Sequence, residues 1–422
     1  MLQPAFEYRN GELCCGAVPV AGIAESYGTP AYIYSKAAIV ERYRSYKTAL
    51  RGLPHRICYS VKANSNLAIL AALAAEGSGF DIVSGGELYR VLASGGDAHS
   101  VVFSGVGKTA AEIRFALENR IHSFNCESDA EIDLISQIAV SLGQTARIAI
   151  RVNPDVDALT HPYISTGLRE HKFGIDMEAA EQLYLRAARS PGMSVEGVSC
   201  HIGSQLLDVE PLIQAADRVL ALVSRLRVLG ISISKLDLGG GLGVAYRASE
   251  RAAAIPSFID RLRPKLEGLN LTLMLEPGRS IVAEAGILLT RVLLVKRHAG
   301  KTFIVVDAAM NDLIRPTLYQ AHHEIVPVRA DSGKPTVRAD IVGPICETGD
   351  FFARGREVPA PNTGDLLAIQ TAGAYGFVLS SNYNSRPRPC ELLIDGSHVS
   401  VVRERETYED LVRREAVPAA TI

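Results

Sequence analysis

Apolar residues along this chain fall into short runs of four to seven that alternate with longer stretches in which polar and apolar positions recur at helical spacing. The strand-like runs lie at residues 57–61, 80–83, 101–104, 121–125, 146–152, 195–201, 235–238 and 271–275. Between them come alanine-rich amphipathic segments at 67–76, 110–119, 129–141, 178–189 and 210–229. Strands that are apolar throughout and separated by helix-length crossovers belong in a parallel sheet covered on both faces. Eight such βα units predict an α/β fold, a closed (β/α)8 TIM-like barrel. After residue 278 the long helical patterns stop. β-rich runs at 287–295, 302–306, 337–342, 366–371, 390–394 and 399–403, parted by Pro/Gly turns such as 359–364, predict a C-terminal all-β domain, a sandwich or a barrel. A further strand at 30–34, ahead of a helical pattern at 36–50, is surplus to the barrel. The expected division is therefore 36–280 for the barrel and 281–422, with 1–35 contributing, for the β domain.

The 422 residues exceed one ordinary core and suit two domains. Hydrophobic residues at 47% and charged residues at 21% describe a globular chain with a large interior. Forty-four Lys+Arg against 46 Asp+Glu give a net charge of −2, which leaves no field to recruit nucleic acid or an anionic membrane. The most apolar run, 286–295, holds Arg291 and falls short of the ~20 residues of a membrane helix. The first ten residues lack the basic and apolar blocks of a secretion signal, so the expected location is cytoplasmic. Seven cysteines without a CxxC pair speak against a disulfide framework or a metal site.

Candidate chemistry gathers where barrel strands end. Tyr59–Ser–Val–Lys–Ala–Asn64 delivers Lys62 at the close of the first strand. A lysine there is a candidate Schiff-base amine, and equally a surface side chain whose stem lies on apolar neighbours. After the seventh strand comes Gly239-Gly240-Gly241-Leu242-Gly243, whose bare amides can close on a phosphate or simply form a tight turn. After the eighth, Glu276-Pro277-Gly278-Arg279 sets a carboxylate and a guanidinium at the same mouth, where a surface ion pair is the plainer reading. A phosphate loop, a lysine and a carboxylate on one rim share a ligand, pyridoxal 5'-phosphate. Lys62 would hold its aldehyde as an imine, and Glu276 would keep the ring nitrogen protonated, which favours carbanion chemistry. His201, in Ser199–Cys–His–Ile–Gly–Ser–Gln205, is either a core histidine or lies against the ring.

With these motifs the chain resembles the diaminopimelate decarboxylases, fold type III pyridoxal-phosphate enzymes of the alanine-racemase-like group. The likeness runs nearly end to end. It includes residues 80–87, the loop 161–174, the run Asn311-Asp312-Leu313-Ile314-Arg315-Pro316, the run Gly343-Pro344-Ile345-Cys346-Glu347-Thr348-Gly349-Asp350, Gly373-Ala374-Tyr375-Gly376 and Asn382-Tyr383-Asn384-Ser385-Arg386-Pro387. The resemblance implies decarboxylation of meso-2,6-diaminopimelate at its D-centre to L-lysine. It assigns Lys62 to the aldehyde, His201 to the ring face, Gly239, Gly240 and Gly241 with Glu276, Pro277, Gly278 and Arg279 to phosphate and pyridine nitrogen, and Tyr375 to cofactor and substrate. It further implies that Arg279, Arg315 and Tyr319 bind the distal carboxylate, that Glu347 binds the distal ammonium, and that Cys346 returns a proton. In such enzymes Cys346 and Glu347 reach the neighbouring subunit's site, so a homodimer is expected.

Those assignments make physical sense. The non-reacting end of meso-diaminopimelate is itself a zwitterion and needs both a cation and an anion; arginine offers a two-pronged fork for the carboxylate. A thiol with a reference pKa of ~8.5 can donate a proton near neutral pH. Taken without the resemblance, Arg315 and Glu347 read as surface charge and Cys346 as a buried hydrophobe. The rival readings are a related decarboxylase acting on ornithine, carboxynorspermidine or a carrier-linked amino acid, and a non-catalytic cofactor-binding regulator.

Overall fold

The computed structural model describes residues 4–156, 172–330 and 333–418. The chain divides into two compact units, residues 39–281 and residues 1–38 with 282–422.

The first unit is a closed parallel barrel. Its strands are β1 (His55–Ser60), β2 (Gly79–Ile82), β3 (Val101–Phe103), β4 (Ser123–Cys126), β5 (Ala146–Asn153), β6 (Met193–Ser199), β7 (Lys235–Asp237) and β8 (Thr272–Leu275). Each pairs in parallel with the next, and β8 returns to β1 through Leu273↔His55, Met274↔Arg56 and Leu275↔Ile57. Cys58, Val102 and Met274, from β1, β3 and β8, form one buried cluster, so side chains rather than a pore fill the space between strands. Helices follow most strands, and their starts are written in the sequence. Ser84 caps Gly85–Ala93, Ser128 caps Asp129–Ser141, and Thr109 with Glu112 forms a reciprocal capping box on Ala110–Glu118. The expected eight-strand barrel is present, with strand ends shifted by one or two residues. One shift matters: β6 stops at Ser199, which leaves His201 in the loop beyond it.

The second unit is all-β apart from short helices. Its main sheet runs Phe351–Pro359, Thr336–Val342, Lys301–Val306, Gly286–His298, Ala31–Ser35, Cys390–Asp395 and His398–Arg403, with Leu366–Ile369 added beside Gly286–His298 and Ile325–Pro327 beside Leu366–Ile369. The strand Ala31–Ser35 pairs antiparallel with Gly286–His298 and parallel with Cys390–Asp395. Leu13, Ile33, Ile287, Leu289, Val328 and Leu392 are among its buried core. The sequence pattern misses the strand Phe351–Pro359. Its Arg354-Gly355-Arg356-Glu357 centre has no apolar alternation, and Gly355 sits at φ +56°, a backbone kink where register shifts against Thr336–Val342. Among the described residues no helix is long and apolar enough to cross a membrane.

Candidate active site

At the C-terminal end of the barrel, β1 stops at Ser60 and a single 3₁₀ turn, Val61–Ala63, carries Lys62. The turn is tied down by Tyr59, whose hydroxyl donates to the Asn64 carbonyl at 2.9 Å. Lys62 Nζ lies 3.1 Å from Asp81 Oδ2; the lysine side chain is 38% exposed while Asp81 is fully buried. An amine that solvent and a small aldehyde can reach is thus held by a carboxylate that cannot leave. Asp81 comes from β2 in register with Ser60, whose hydroxyl lies 2.9 Å from both Asp81 Oδ2 and the Glu276 carbonyl.

Beside this pair lie further buried carboxyls. Asn125 Nδ2, from β4, is 3.0 Å from Asp237 Oδ2, 3.3 Å from Glu276 Oε1 and 3.1 Å from Ser104 Oγ. Burial, then the charges of Asp237 and Asp81, push the Glu276 carboxyl well above its usual range, and burial raises Asp237 as well. Two buried carboxyls that share Asn125 do not readily both ionise, so the pair favours retaining a proton, with the larger upward push on Glu276.

The glycine loop packs against the backbone of Glu276. A Cβ on Gly240 would come within 2.3 Å of the Glu276 carbonyl oxygen, and Gly239 adopts φ +65° with its missing Cβ 2.7 Å from His201 Nδ1. The Gly239 amide donates to Asp237 Oδ1 at 2.9 Å; among the described residues, the amides of Gly240 and Gly241 meet no acceptor. Burial first, and then the charges of Arg151 and Lys62, lower the His201 pKa well below its ordinary value, so its ring is neutral. Arg279 is buried, donating from Nη1 to Tyr246 Oη at 2.7 Å and from Nη2 to Ser204 Oγ at 3.1 Å. Pro277 and Gly278 hold this segment to β1: the Ser60 amide donates to the Pro277 carbonyl at 3.1 Å, and a Cβ on Gly278 would meet Ala63 Cβ at 2.9 Å.

This donor set fits pyridoxal phosphate. Two open backbone amides suit a phosphate, an accessible amine suits an aldehyde, and a buried carboxyl that stores a proton suits a pyridine nitrogen, whose positive charge would let Glu276 ionise. A neutral imidazole at His201 would meet a cationic ring without charge repulsion.

In the β unit, Arg315 opens the short helix Arg315–Tyr319; it is buried, while Tyr319 is half-buried. Cys346 and Glu347 sit together on the 343–350 turn and are exposed. Asp350 shapes that turn, its Oδ2 accepting from the Ile345 amide and its Oδ1 from the Met310 amide, both at 2.7 Å. Gly343 leaves room for this, since a Cβ there would lie 2.4 Å from Asp350 Oδ2. Thr317 donates to the Gly349 carbonyl, which joins the Arg315 helix to the Cys346 turn. Tyr383 Oη donates to Glu347 Oε2 at 3.3 Å. Tyr375 occupies a separate turn at φ +54°. Residues 161–171 of the loop 161–174 lie outside the described residues; from 172 onward, Gly174 donates to Glu127 Oε2 at 2.9 Å and Phe173 accepts from Asn153 Nδ2 at 2.5 Å.

Reading for motifs overlooked Asp81, Asn125 and Asp237 as members of the constellation. Asp81 and Asn125 had a signal, a polar residue within a short, wholly buried strand where such a residue must have a partner, and Asp237 is buried at the end of its strand.

The pyridoxal-dependent decarboxylase family's pyridoxal-binding domain matches residues 36–283. The diaminopimelate decarboxylase of Pseudomonas aeruginosa is 55% identical over 412 residues, 98% of this chain and 99% of that one. Among solved structures, diaminopimelate decarboxylase from Helicobacter pylori, complexed with L-lysine, superposes with a TM-score of 0.90 at 44% identity, covering 94% of this chain and 99% of the other. The enzyme from M. jannaschii in co-complex with L-lysine gives a TM-score of 0.93 at 38% identity, with 99% of both chains covered. By full-length likeness as well as by the residues on its barrel rim, the chain belongs to the diaminopimelate decarboxylase family of pyridoxal-dependent decarboxylases.

Proposed function

We propose that this protein removes the carboxylate at the D-centre of meso-2,6-diaminopimelate to give L-lysine and carbon dioxide, the last step of lysine biosynthesis. The observation that carries this reading is Lys62 at the barrel mouth, its amine 3.1 Å from buried Asp81 and flanked by the Glu276 carboxyl and the open glycine amides. When bound there, pyridoxal phosphate supplies an electron sink for the pair released as carbon dioxide departs.

The chain's own groups do the rest. Lys62 would hold the cofactor's aldehyde, and Asp81 keeps the lysine amine oriented. The amides of Gly240 and Gly241 would hold the phosphate, and Glu276 would serve the pyridine nitrogen. His201 would help to exclude water from the cofactor; Pro277, Gly278 and Tyr375 would complete its surroundings. Arg279, Arg315 and Tyr319 bind the substrate's distal carboxylate, Glu347 binds its distal ammonium, and Cys346 delivers a proton to the carbon that has lost carbon dioxide. The zwitterion at the far end of this substrate distinguishes it from a diamine precursor such as ornithine, whose far end calls for an anion alone.

Residues 36–280 form the cofactor-binding domain in this reading, and residues 281–422 with 1–35 supply substrate groups. Two chains form a homodimer in which Cys346 and Glu347 serve the neighbouring site, and the protein works in the cytoplasm. The exposure of both residues supports that reading, because a proton donor and a charge clamp gain strength only when water is excluded around them.

The test is release of lysine and carbon dioxide from meso-diaminopimelate against ornithine and carboxynorspermidine. Arg315→Ala should lower kcat/KM for meso-diaminopimelate by about 10²-fold, the loss expected when one partner of a buried charge pair is truncated. Equal turnover of ornithine would contradict the assignment. Mixing inactive Lys62→Ala and Cys346→Ala proteins should restore activity if sites are shared, and should restore none if each chain works alone.

A further inference from the structure

Arg315 needs to be held still to grip a carboxylate, and the chain that follows its short helix returns to it. The helix Arg315–Tyr319 ends at Gln320, which adopts a left-handed conformation at φ +52°, ψ +30°. This turn, with the Ala321 amide donating to the Arg315 carbonyl at 3.3 Å, sends the chain back over the guanidinium. Eight residues after Arg315 comes His323, whose Nε2 lies 3.2 Å from Arg315 Nη1. His323 is fully buried, and Arg315 is only 5% exposed.

The sheet fixes the histidine's other face. The strand Ile325–Pro327 pairs with Leu366–Ile369 through Ile325↔Ile369, and one step beyond, the Gln370 amide donates to the Glu324 carbonyl at 2.8 Å. His323 Nδ1 continues this ladder with a 2.8 Å bond to the Gln370 carbonyl. A carbonyl only accepts, so Nδ1 carries the hydrogen; an arginine only donates, so Nε2 offers its lone pair. Arg356 Nη1 donates to the His323 carbonyl at 3.0 Å, which pins the backbone at the same point. The preceding His322 repeats the arrangement, with Nδ1 2.9 Å from Arg356 Nη2 and Nε2 2.9 Å from Glu324 Oε1.

We propose that His323 is a positioning residue for substrate recognition: through its Nε2 lone pair it orients the Arg315 guanidinium that grips the amino-acid head of the substrate's non-reacting end. The proposal rests on the reading of Arg315 given above. One N–H of the fork is used on the imidazole, which sets the plane in which the guanidinium meets a carboxylate.

The experiment is equilibrium binding to the cofactor-loaded protein of two probes, L-lysine and cadaverine, which differ only by the carboxylate in question. His323→Asn keeps an amide donor near the Nδ1 position but withdraws the acceptor from Arg315; His323→Gln puts an amide oxygen near the Nε2 position. His323→Asn should weaken L-lysine about tenfold, as losing one hydrogen bond to a charged group does, and leave cadaverine unchanged. His323→Gln should recover most of the L-lysine affinity. Arg315→Ala should weaken L-lysine further, and adding His323→Asn to it should cost nothing more, because the histidine acts only through the arginine. Equal loss for both probes, or full additivity with Arg315→Ala, would overturn the positioning role while leaving Arg315 in place. Unchanged L-lysine binding in Arg315→Ala alone would overturn the reading of Arg315 and the proposal with it.

Discussion

The two ends of the barrel are built from the same eight strands and carry opposite chemistry. At the C-terminal end, Asp81, Asp237 and Glu276 are buried acids around a reachable Lys62. At the N-terminal end, the strands start with cations: Arg56 on β1, Arg147 on β5 and Lys235 on β7 stand around half-buried His122, just before β4. Burial and then the charges of Lys235, Arg56 and Arg147 push His122 down to about 3. One end concentrates groups whose protonation a ligand can change; the other stays in a fixed charge state. The scaffold permits both, since strand direction decides only which residues meet at each rim.

The comparison can be broken most forcefully by exchanging charge at each end. Glu276→Gln should lower decarboxylation by about 10²–10³-fold, the cost of removing one oriented electrostatic group, as measured by lysine release. Lys235→Met at the other end should leave turnover at the wild-type level. A smaller effect is steric. Gly240→Ala brings a methyl to 2.3 Å from the Glu276 carbonyl, so the cofactor-loaded protein should melt with about 1–3 kcal/mol less stability than wild type.

The sharpest form of the contrast is pH dependence, where the two ends carry opposite signs. Glu276 is raised in the fold, so without cofactor it contributes stability at low pH that is lost as pH rises above about 4.5. His122 is lowered in the fold to about 3, so the unfolded chain binds the extra proton and stability is lost as pH falls from about 6.5 toward 3. Chemical denaturation across this range should show Glu276→Gln flattening the rise-side loss and His122→Gln flattening the fall-side loss. Loading the cofactor should remove the first slope and leave the second. Least of all, Lys235→Met should alter stability by under about 1 kcal/mol, because its pair with Glu196 remains partly open to water.

Much of this molecule is legible in its sequence, for identifiable reasons. Eight apolar strands between amphipathic crossovers have few closed solutions, and the glycine and lysine motifs stand at strand ends where chain order alone places them on one rim. The partners of those motifs are harder to read. The Lys62–Asp81 pair depends on register between adjacent parallel strands, and Asn125 reaches Asp237 across strands that are not neighbours in sequence. His323 is less visible still: its contact with Arg315 arises from a left-handed turn at a glutamine, a residue with no special preference for it. The strand Phe351–Pro359 hid because its arginines and central glycine carry no alternation.

The central claim is that Lys62 carries the cofactor. Borohydride reduction of the pyridoxal-phosphate-loaded protein, followed by proteolysis and mass spectrometry, should find the coenzyme fixed to the peptide bearing Lys62. Attachment to any other lysine, or a Lys62→Ala protein that is labelled as fully as wild type, would contradict the account.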